Sequence, residues 1–193
     1  MNKLTMKQIV FATGNPHKLQ EIKQIAGDCG VEFILPPEGF NPDETGKTFE
    51  ENSYIKAYEA AKLSGMTALA DDSGLCVDAL DGAPGIYSAR YAETQQKRIE
   101  KLLDALKEEE NRKAKFVCAM TLVSPEGNVI FQTIGECRGN ITEKPSGTNG
   151  FGYDPIFKPE GFDVTIAQLS DIEKNAISHR GNALRKVLAF IHK

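Results

Sequence analysis

The sequence predicts an α/β fold built on a mixed β-sheet, and two observations predict it. Strand-like and helix-like segments alternate through the first part of the chain, as they do where parallel strands are joined by crossover helices. Further on, two apolar runs flank Pro125-Glu126-Gly127-Asn128, the mark of a hairpin and so of antiparallel pairing in the same sheet. The strands are too few and too irregularly spaced for an eight-stranded α/β barrel.

The elements follow in order. Gln8–Ala12 reads as a buried first strand. A helix runs from Pro16 to about Gly27, with Leu19, Ile22 and Ala26 at helical spacing. Val31–Leu35 is a second strand, closed by Pro36-Pro37, and a loop rich in Gly, Pro, Asp and Glu continues to Gly46. Thr48-Phe49-Glu50-Glu51 is a capping box. The helix it opens runs to about Leu63, where Ser64-Gly65 stops it. Thr67–Ala70 is a short strand ending at Asp71-Asp72-Ser73-Gly74, and Ala83-Pro84-Gly85 is a turn. Thr94 to about Asn111 is a charged helix that faces Ile99, Leu102, Leu103 and Leu106 inward. Phe116–Ser124 and Val129–Gly135 form the hairpin. Ser170-Asp171-Ile172-Glu173 is a second capping box, opening the last helix.

A chain of 193 residues is expected to form a single domain spanning residues 1–193. At this length it buries roughly 70% of its unfolded surface, so the core needs no disulfide or structural metal. With 40% hydrophobic and 26% charged residues, disorder, collagen and coiled coil are excluded as the main state. The longest apolar runs, Phe116–Met120 and Val187–Ile191, fall far short of the ~20 residues of a membrane span. The N-terminal stretch is basic, but its apolar part stops at Ile9–Ala12, too short for a signal-peptide core. Cys29, Cys76, Cys118 and Cys137 show no CxxC or CxxxC spacing and read as thiols in a reducing compartment. The expected location is cytoplasmic.

The net charge of −4 argues against a general nucleic-acid binder. From Lys174 onward, however, there are five basic residues and no acids, while acids crowd Glu38–Glu51 and Asp71–Asp81. This pattern suits either a solvated helix beside acidic loops or a site with a metal-holding acidic wall and an anion-holding basic one.

Four segments are candidates for chemistry. The turn Thr13-Gly14-Asn15-Pro16-His17-Lys18 lies between the first strand and the first helix. Free N–H groups at a helix N-terminus favour an anion. Gly14 permits close backbone approach, Thr13 and Asn15 add polar side chains, and Lys18 adds a movable charge. It is neither GxxxxGK[ST] nor GxGxxG, and a well-capped turn with Pro16 at the first helical position reads equally from these residues. The doublet Asp71-Asp72, followed by Ser73-Gly74, puts two carboxylates after an apolar strand. Burying them calls for something positive, such as a divalent metal; a β-turn built on Asp, Ser and Gly is the alternative. In Gly147–Asp154, glycines alternate with polar residues and two aromatics, which suits base stacking or simply a tight loop with its aromatics packed inward. Ser178-His179-Arg180-Gly181 follows Lys174. A mid-helix glycine costs about 1 kcal/mol, which suggests a close approach there. His179 and Arg180 are strong donors, although either one singly also suits a solvated helix face. His17 and His192 taken alone read as ordinary histidines.

Together these segments resemble the inosine triphosphate pyrophosphatase family, enzymes that remove non-standard purine nucleoside triphosphates. The matching residues are Thr13–Lys18, Glu44-Thr45-Gly46 with Phe49–Asn52, Ala70–Leu75, Gly82–Tyr91, Gly150–Pro155, and Lys174 with Ser178–Gly181. They span nearly the whole chain in the family's order. One departure is Asn149, where the family usually has Gly; Asn tolerates positive φ better than most residues.

The resemblance implies a two-lobed α/β fold with a long central mixed sheet flanked by helices and the active site in the cleft between the lobes. It implies a homodimer that hydrolyses its substrate to the monophosphate and pyrophosphate, with Mg²⁺ as cofactor and neither nucleic acid nor membrane as partner. By position, Glu44 and Asp72 would hold Mg²⁺, and Asp72 would also accept the proton. The Thr13, Gly14, Asn15, Pro16, His17, Lys18 turn and Ser73 would bind the triphosphate. Phe151, Gly152, Tyr153, Asp154, Lys174, His179 and Arg180 would line the sugar and base pocket, and Lys56 lies where it could reach the phosphates.

The chemistry agrees with these assignments. Mg²⁺ is commonly held by one or two carboxylates plus substrate phosphates. No serine–histidine or cysteine–histidine nucleophile is evident, so direct water attack is expected. Hypoxanthine and xanthine carry an O6 acceptor where adenine has a donor, and donors on His179 and Arg180 would suit the keto form. The competing class is a non-catalytic nucleotide sensor, but the presence of Glu44, Asp71 and Asp72 favours the enzyme. Within enzymes, the runner-up is a pyrophosphatase acting on ordinary or base-modified triphosphates.

Overall fold

The computed structural model describes residues 8–193; the basic stretch 1–7 lies outside the described residues. The strands are β1 (Gln8–Phe11), β2 (Glu32–Ile34), β3 (Ala68–Val77), β4 (Lys113–Val123), β5 (Val129–Ile141) and β6 (Phe157–Pro159). The helices are α1 (Pro16–Ala26), α2 (Phe49–Ser64), α3 (Gln95–Ala105), α4 (Asp171–Ile177) and α5 (His179–Ile191). The six strands form one sheet in the order β2-β1-β3-β4-β5-β6. β1 pairs parallel with β2, Ile9 beside Phe33, and parallel with β3, Phe11 beside Leu69. β5 and β6 are antiparallel, Ile141 beside Phe157. The sheet is therefore mixed, as the sequence predicts.

Three elements differ from expectation. β3 does not stop at Ala70 but carries the aspartate doublet in its interior. α3 ends at Ala105, well before Asn111. Glu108-Glu109-Glu110 would place three like charges at the negative end of the helix dipole, which disfavours continuation. The expected last helix is two, α4 and α5, separated at Ser178, whose backbone is extended at φ −63° and ψ 151°. The second capping box is present: Ser170 accepts from Glu173 N, and the Glu173 carboxylate accepts from Ser170 N at 2.9 Å. At the first, Thr48 caps α2 through Glu51 N, but the Glu51 carboxylate takes Lys47 N instead of Thr48 N.

The chain divides into two compact units: the first runs through Asp72 and adds Cys118–Gly135 and Arg180–Lys193; the second holds Ser73–Val117 and Glu136–His179. In the first unit, alternate residues along each strand face different helices, as a two-residue period requires. Ile9, Phe11 and Leu69 pack with Ile22 and Ala26 of α1 and with Ala183, Leu184 and Val187 of α5. Val10, Ala12, Ala68 and Ala70 pack with Ala57, Ala60 and Ala61 of α2. In the second unit Leu75, Val77, Leu102, Leu106, Phe116, Tyr153, Ile156 and Phe157 form a separate core. Among the described residues, no helix is long and apolar enough to cross a membrane.

Candidate active site

The doublet in β3 follows the same alternation. Asp71 lies on the side of Leu69 and meets cations from α1 and α5. Lys18 Nζ donates to its Oδ1 at 3.1 Å, and Arg180 Nε and Nη2 donate to its Oδ2 at 3.1 and 2.9 Å. Asp72 lies on the side of Ala70 and meets α2, where Lys56 Nζ donates to its Oδ1 at 2.7 Å. Both aspartates are buried. Each carboxylate thus has its own cation, which answers the cost of burial. Burial alone would raise the Asp71 carboxyl. The charges of Lys18 and Arg180, with Lys56 behind them, overcome it and hold the group far below the ordinary carboxylate range.

Lys56 is held by two acids, for Glu44 Oε1 lies 3.4 Å from its Nζ. Desolvation would lower the Lys56 ammonium, but Asp72, Asp71 and Glu44 together raise it. Burial pushes Asp72 up, with the Glu44 charge adding to the push and Lys56 opposing it. The loop carrying Glu44 is fixed to the start of α2. Gly46 N donates to Asn52 Oδ1 at 2.8 Å, and a Cβ on Gly46 would sit 2.6 Å from that oxygen. Only a glycine fits there, which accounts for the paired segments Glu44–Gly46 and Phe49–Asn52.

The turn before α1 is built by its own side chains. Asn15 caps the helix by accepting from His17 N at 3.0 Å, Thr13 Oγ1 accepts from Asn15 N at 3.0 Å, and Pro16 opens the first turn. A Cβ on Gly14 would meet nothing within 4 Å, so packing does not demand the glycine. His17 is exposed.

A second cluster lies in the second unit. Asp154 Oδ2 accepts from Phe151 N and from Lys174 Nζ, both at 2.9 Å. The Lys174 ammonium also lies 4.8 Å from the Phe151 ring centroid, within cation–π range. Gly150 at φ +74° lets Asp154 fold back; a Cβ would sit 2.1 Å from its Oδ2. Gly152 N donates to Gln95 Oε1 at 2.9 Å. The Phe116 ring stacks on His179, with centroids 4.8 Å apart and planes 15° apart.

Several residues sit otherwise than the sequence suggests. Tyr153 is not a pocket wall but part of the second unit's core, its hydroxyl donating to Ser88 O at 2.9 Å. His179 and Arg180 are adjacent yet belong to different units. Arg180 is 1% exposed, and its guanidinium is spent on Asp71 and Glu21, whereas the sequence turned that fork toward a keto oxygen. Buried carboxylates outcompete a neutral acceptor for a guanidinium. The Ser178–Arg180 stretch is buried at the α4–α5 break, so it is not a solvated helix face. Asn149 does not take positive φ. Its Nδ2 instead donates to Leu169 O at 3.0 Å. Ser73 follows Asp72 in β3, half-buried. Sequence reasoning missed Glu21, Gln95 and Phe116. Only Glu21 left a signal, standing three residues after Lys18 on the same helix.

Two carboxylates that converge on one cation suit a hard divalent ion. Asp72 Oδ2 is buried without a hydrogen-bond partner among the described residues, so it is a further oxygen able to take a positive charge. Glu44 and Asp72 therefore fit Mg²⁺.

Comparison with known proteins shows the family and the fold. Residues 9–190 match the model of the Ham1 family. A dITP/XTP pyrophosphatase of Synechocystis is 46% identical over 183 residues, 95% of this chain and 94% of that protein. The structure of a HAM1 protein from Coxiella burnetii aligns with a TM-score of 0.86 and 43% identity, covering 96% of this chain and 98% of that one. That of the Staphylococcus aureus Ham1 protein gives 0.86 and 44% over the same shares.

Proposed function

The chain belongs to the Ham1 family, and on that premise we propose how its residues hydrolyse non-standard purine nucleoside triphosphates. It is a hydrolase of triphosphate anhydride bonds. The substrates are dITP, ITP and XTP, converted to the monophosphate and pyrophosphate, which removes deaminated purines from the nucleotide pool.

The observation that carries the mechanism is Asp72, a buried carboxylate with one oxygen on Lys56 and the other unpartnered among the described residues. The Asp72 carboxylate accepts the proton of the attacking water. Burial raises its carboxyl pKa, which strengthens it as a base. Glu44 and Asp72 would hold Mg²⁺, which when bound would supply positive charge to offset that of the phosphates. Lys18 and the Thr13–Asn15 turn bind the triphosphate, with Pro16 and His17 shaping the turn and Ser73 adding a hydroxyl. Lys56 orients Asp72 and keeps it ionised until the proton arrives. Phe151 stacks on the base, Gly152 gives it room, and Asp154, Lys174 and His179 serve the sugar and base edge. Tyr153 supports that cluster from the core. Besides substrate, the partner is a second copy of the chain, and the location is cytoplasmic.

The test is a panel of ITP, dITP, XTP, GTP and ATP with Mg²⁺, resolving pyrophosphate from phosphate. Pyrophosphate release from the first three at rates far above the last two is expected. Comparable rates on all five would favour the reading as a general triphosphate pyrophosphatase.

A further inference from the structure

Four ionised side chains of the first unit close a ring. Lys18 of α1 donates to Asp71 Oδ1, Asp71 Oδ2 takes the fork of Arg180, and Arg180 Nη1 reaches Glu21. Glu21 stands on α1 three residues beyond Lys18, so the contacts leave that helix and return to it. The formal charges of the four cancel. The two cations on Asp71 differ in kind. Arg180 is 1% exposed and donates both Nε and Nη2 to the one oxygen Asp71 Oδ2, two charge-assisted bonds from one rigid group. Lys18 is the ring's accessible cation, its side chain 17% exposed, on a flexible stem with a single point charge. An ammonium that shares its carboxylate with a guanidinium making two hydrogen bonds to it is held less tightly than one that is the carboxylate's sole counter-ion.

We propose that Glu21, Asp71 and Arg180 are positioning residues that hold Lys18 in a releasable state, so that its ammonium passes from Asp71 to an incoming polyphosphate. The inference rests on the reading of Lys18 as a phosphate ligand. It gives Arg180 an effect on phosphate affinity without contact with the substrate, and it gives Asp71 a role distinct from that of Asp72.

The probe is inorganic tripolyphosphate, which has no base, titrated into the full chain by calorimetry, with inosine as the companion ligand. Lys18→Ala is expected to bind tripolyphosphate at least ~10-fold more weakly, as the loss of a charge-assisted contact implies. Unchanged binding there would sink the phosphate reading itself. Arg180→Met leaves Asp71 to retain Lys18 and is expected to cost tripolyphosphate a similar factor while inosine binding is unmoved. Asp71→Asn/Arg180→Met removes both buried charges together, which is gentler on folding than removing one, and frees Lys18; its affinity is expected to return to within about threefold of the parent. Glu21→Gln/Arg180→Met has the same net charge as that double variant but keeps Asp71 on Lys18, so it is expected to stay weak.

The proposal is overturned if Lys18→Ala is impaired while Arg180→Met binds tripolyphosphate normally. It is overturned if the Asp71→Asn double variant stays as weak as the single, which would place Arg180 on the anion itself. Equal recovery of both double variants would reduce the effect to net charge and also overturn it. Where Arg180→Met does not fold, the contrast between the two double variants decides alone.

Discussion

Asp71 and Asp72 are neighbours in β3, yet their carboxylates serve opposite sides of the strand, Asp71 on Lys18 and Arg180 and Asp72 on Lys56. The two-residue period of a strand makes this separation automatic. The apolar packing before them is divided in the same way, Leu69 with α1 and α5, Ala70 with α2. One dipeptide thus supplies two acids with different jobs. Asp71 is saturated by cations and pulled far below the ordinary range, while burial raises Asp72. An acid locked in its charged form is a fixed counter-ion. An acid with a raised pKa and an oxygen to spare is a base.

Asp72→Asn is therefore expected to abolish turnover while leaving nucleotide binding within a few-fold of the parent. The amide keeps the shape and loses both the metal charge and the capacity to accept a proton, a loss of at least ~10³ in kcat on the scale of general-base catalysis. Steady-state kinetics with ITP, paired with titration of ITP into the variant, check it. Turnover within a few-fold of the parent would remove Asp72 from the chemistry. In the parent, kcat/KM should fall on the acid side as Asp72 takes up a proton, with a midpoint above the ordinary carboxylate value because burial raises it.

Lys56→Met is expected to destabilise the protein strongly. It leaves Asp72 buried without its 2.7 Å partner, and breaking a buried pair from one side costs about 3–5 kcal/mol. Lys56→Met/Asp72→Asn removes both charges and should recover most of that loss, yet remain inactive. Urea unfolding of both variants measures it. Equal destabilisation in the two would mean that Lys56 matters through packing along its stem and not through the pair.

Asp71 gives a pH signature in stability. Its folded pKa lies below its unfolded one, so below about pH 4, the ordinary carboxylate value, the unfolded chain binds the additional proton. Stability from this group is then fully present above that pH and is lost as pH falls through the acid range. Unfolding midpoints in urea between pH 6 and pH 3 should drop for the parent. The drop should be shallower in Asp71→Asn, which starts from a lower value. Parallel curves would show that Asp71 is not the group that titrates.

What was legible in the sequence was whatever is local. The turn at Thr13–Lys18 builds itself from its own capping residues, and the glycines at 147–152 and the capping boxes announce bends and helix starts. The doublet was visible as chemistry but not as strand, because two acids interrupt an apolar run. Only the cations arriving from α1, α2 and α5 make it a place where a strand can continue. Those cations lie 16 to 109 residues away, and no spacing rule links them. The turn of Arg180 toward Glu21, 159 residues away, was illegible for the same reason. The break at Ser178 was hidden because Lys174–Gly181 has the composition of one helix. His179 and Arg180, read as a pair of donors, fall in different units, so adjacency in sequence misled where adjacency in space decides.

Gly150 and Gly152 offer a controlled comparison in the second cluster. Both have positive φ, +74° and +64°, so an alanine at either bears the cost of left-handed backbone, about 1–2 kcal/mol. They differ in what a side chain would meet. At Gly152 nothing lies within 4 Å, whereas at Gly150 the new Cβ would sit 2.1 Å from Asp154 Oδ2. That oxygen accepts from Phe151 N and Lys174 Nζ, so Gly150→Ala must displace the carboxylate and release both Phe151 and Lys174. If the cluster serves the sugar and base, KM for ITP should rise by at least ~10-fold, the size of one charged hydrogen bond, while tripolyphosphate binding holds. Gly152→Ala should lose similar stability and far less affinity. Thermal unfolding and ITP kinetics on the two variants separate the effects. If both raise KM equally, backbone strain governs the loop and the Asp154–Lys174 contact is not what binds the nucleoside.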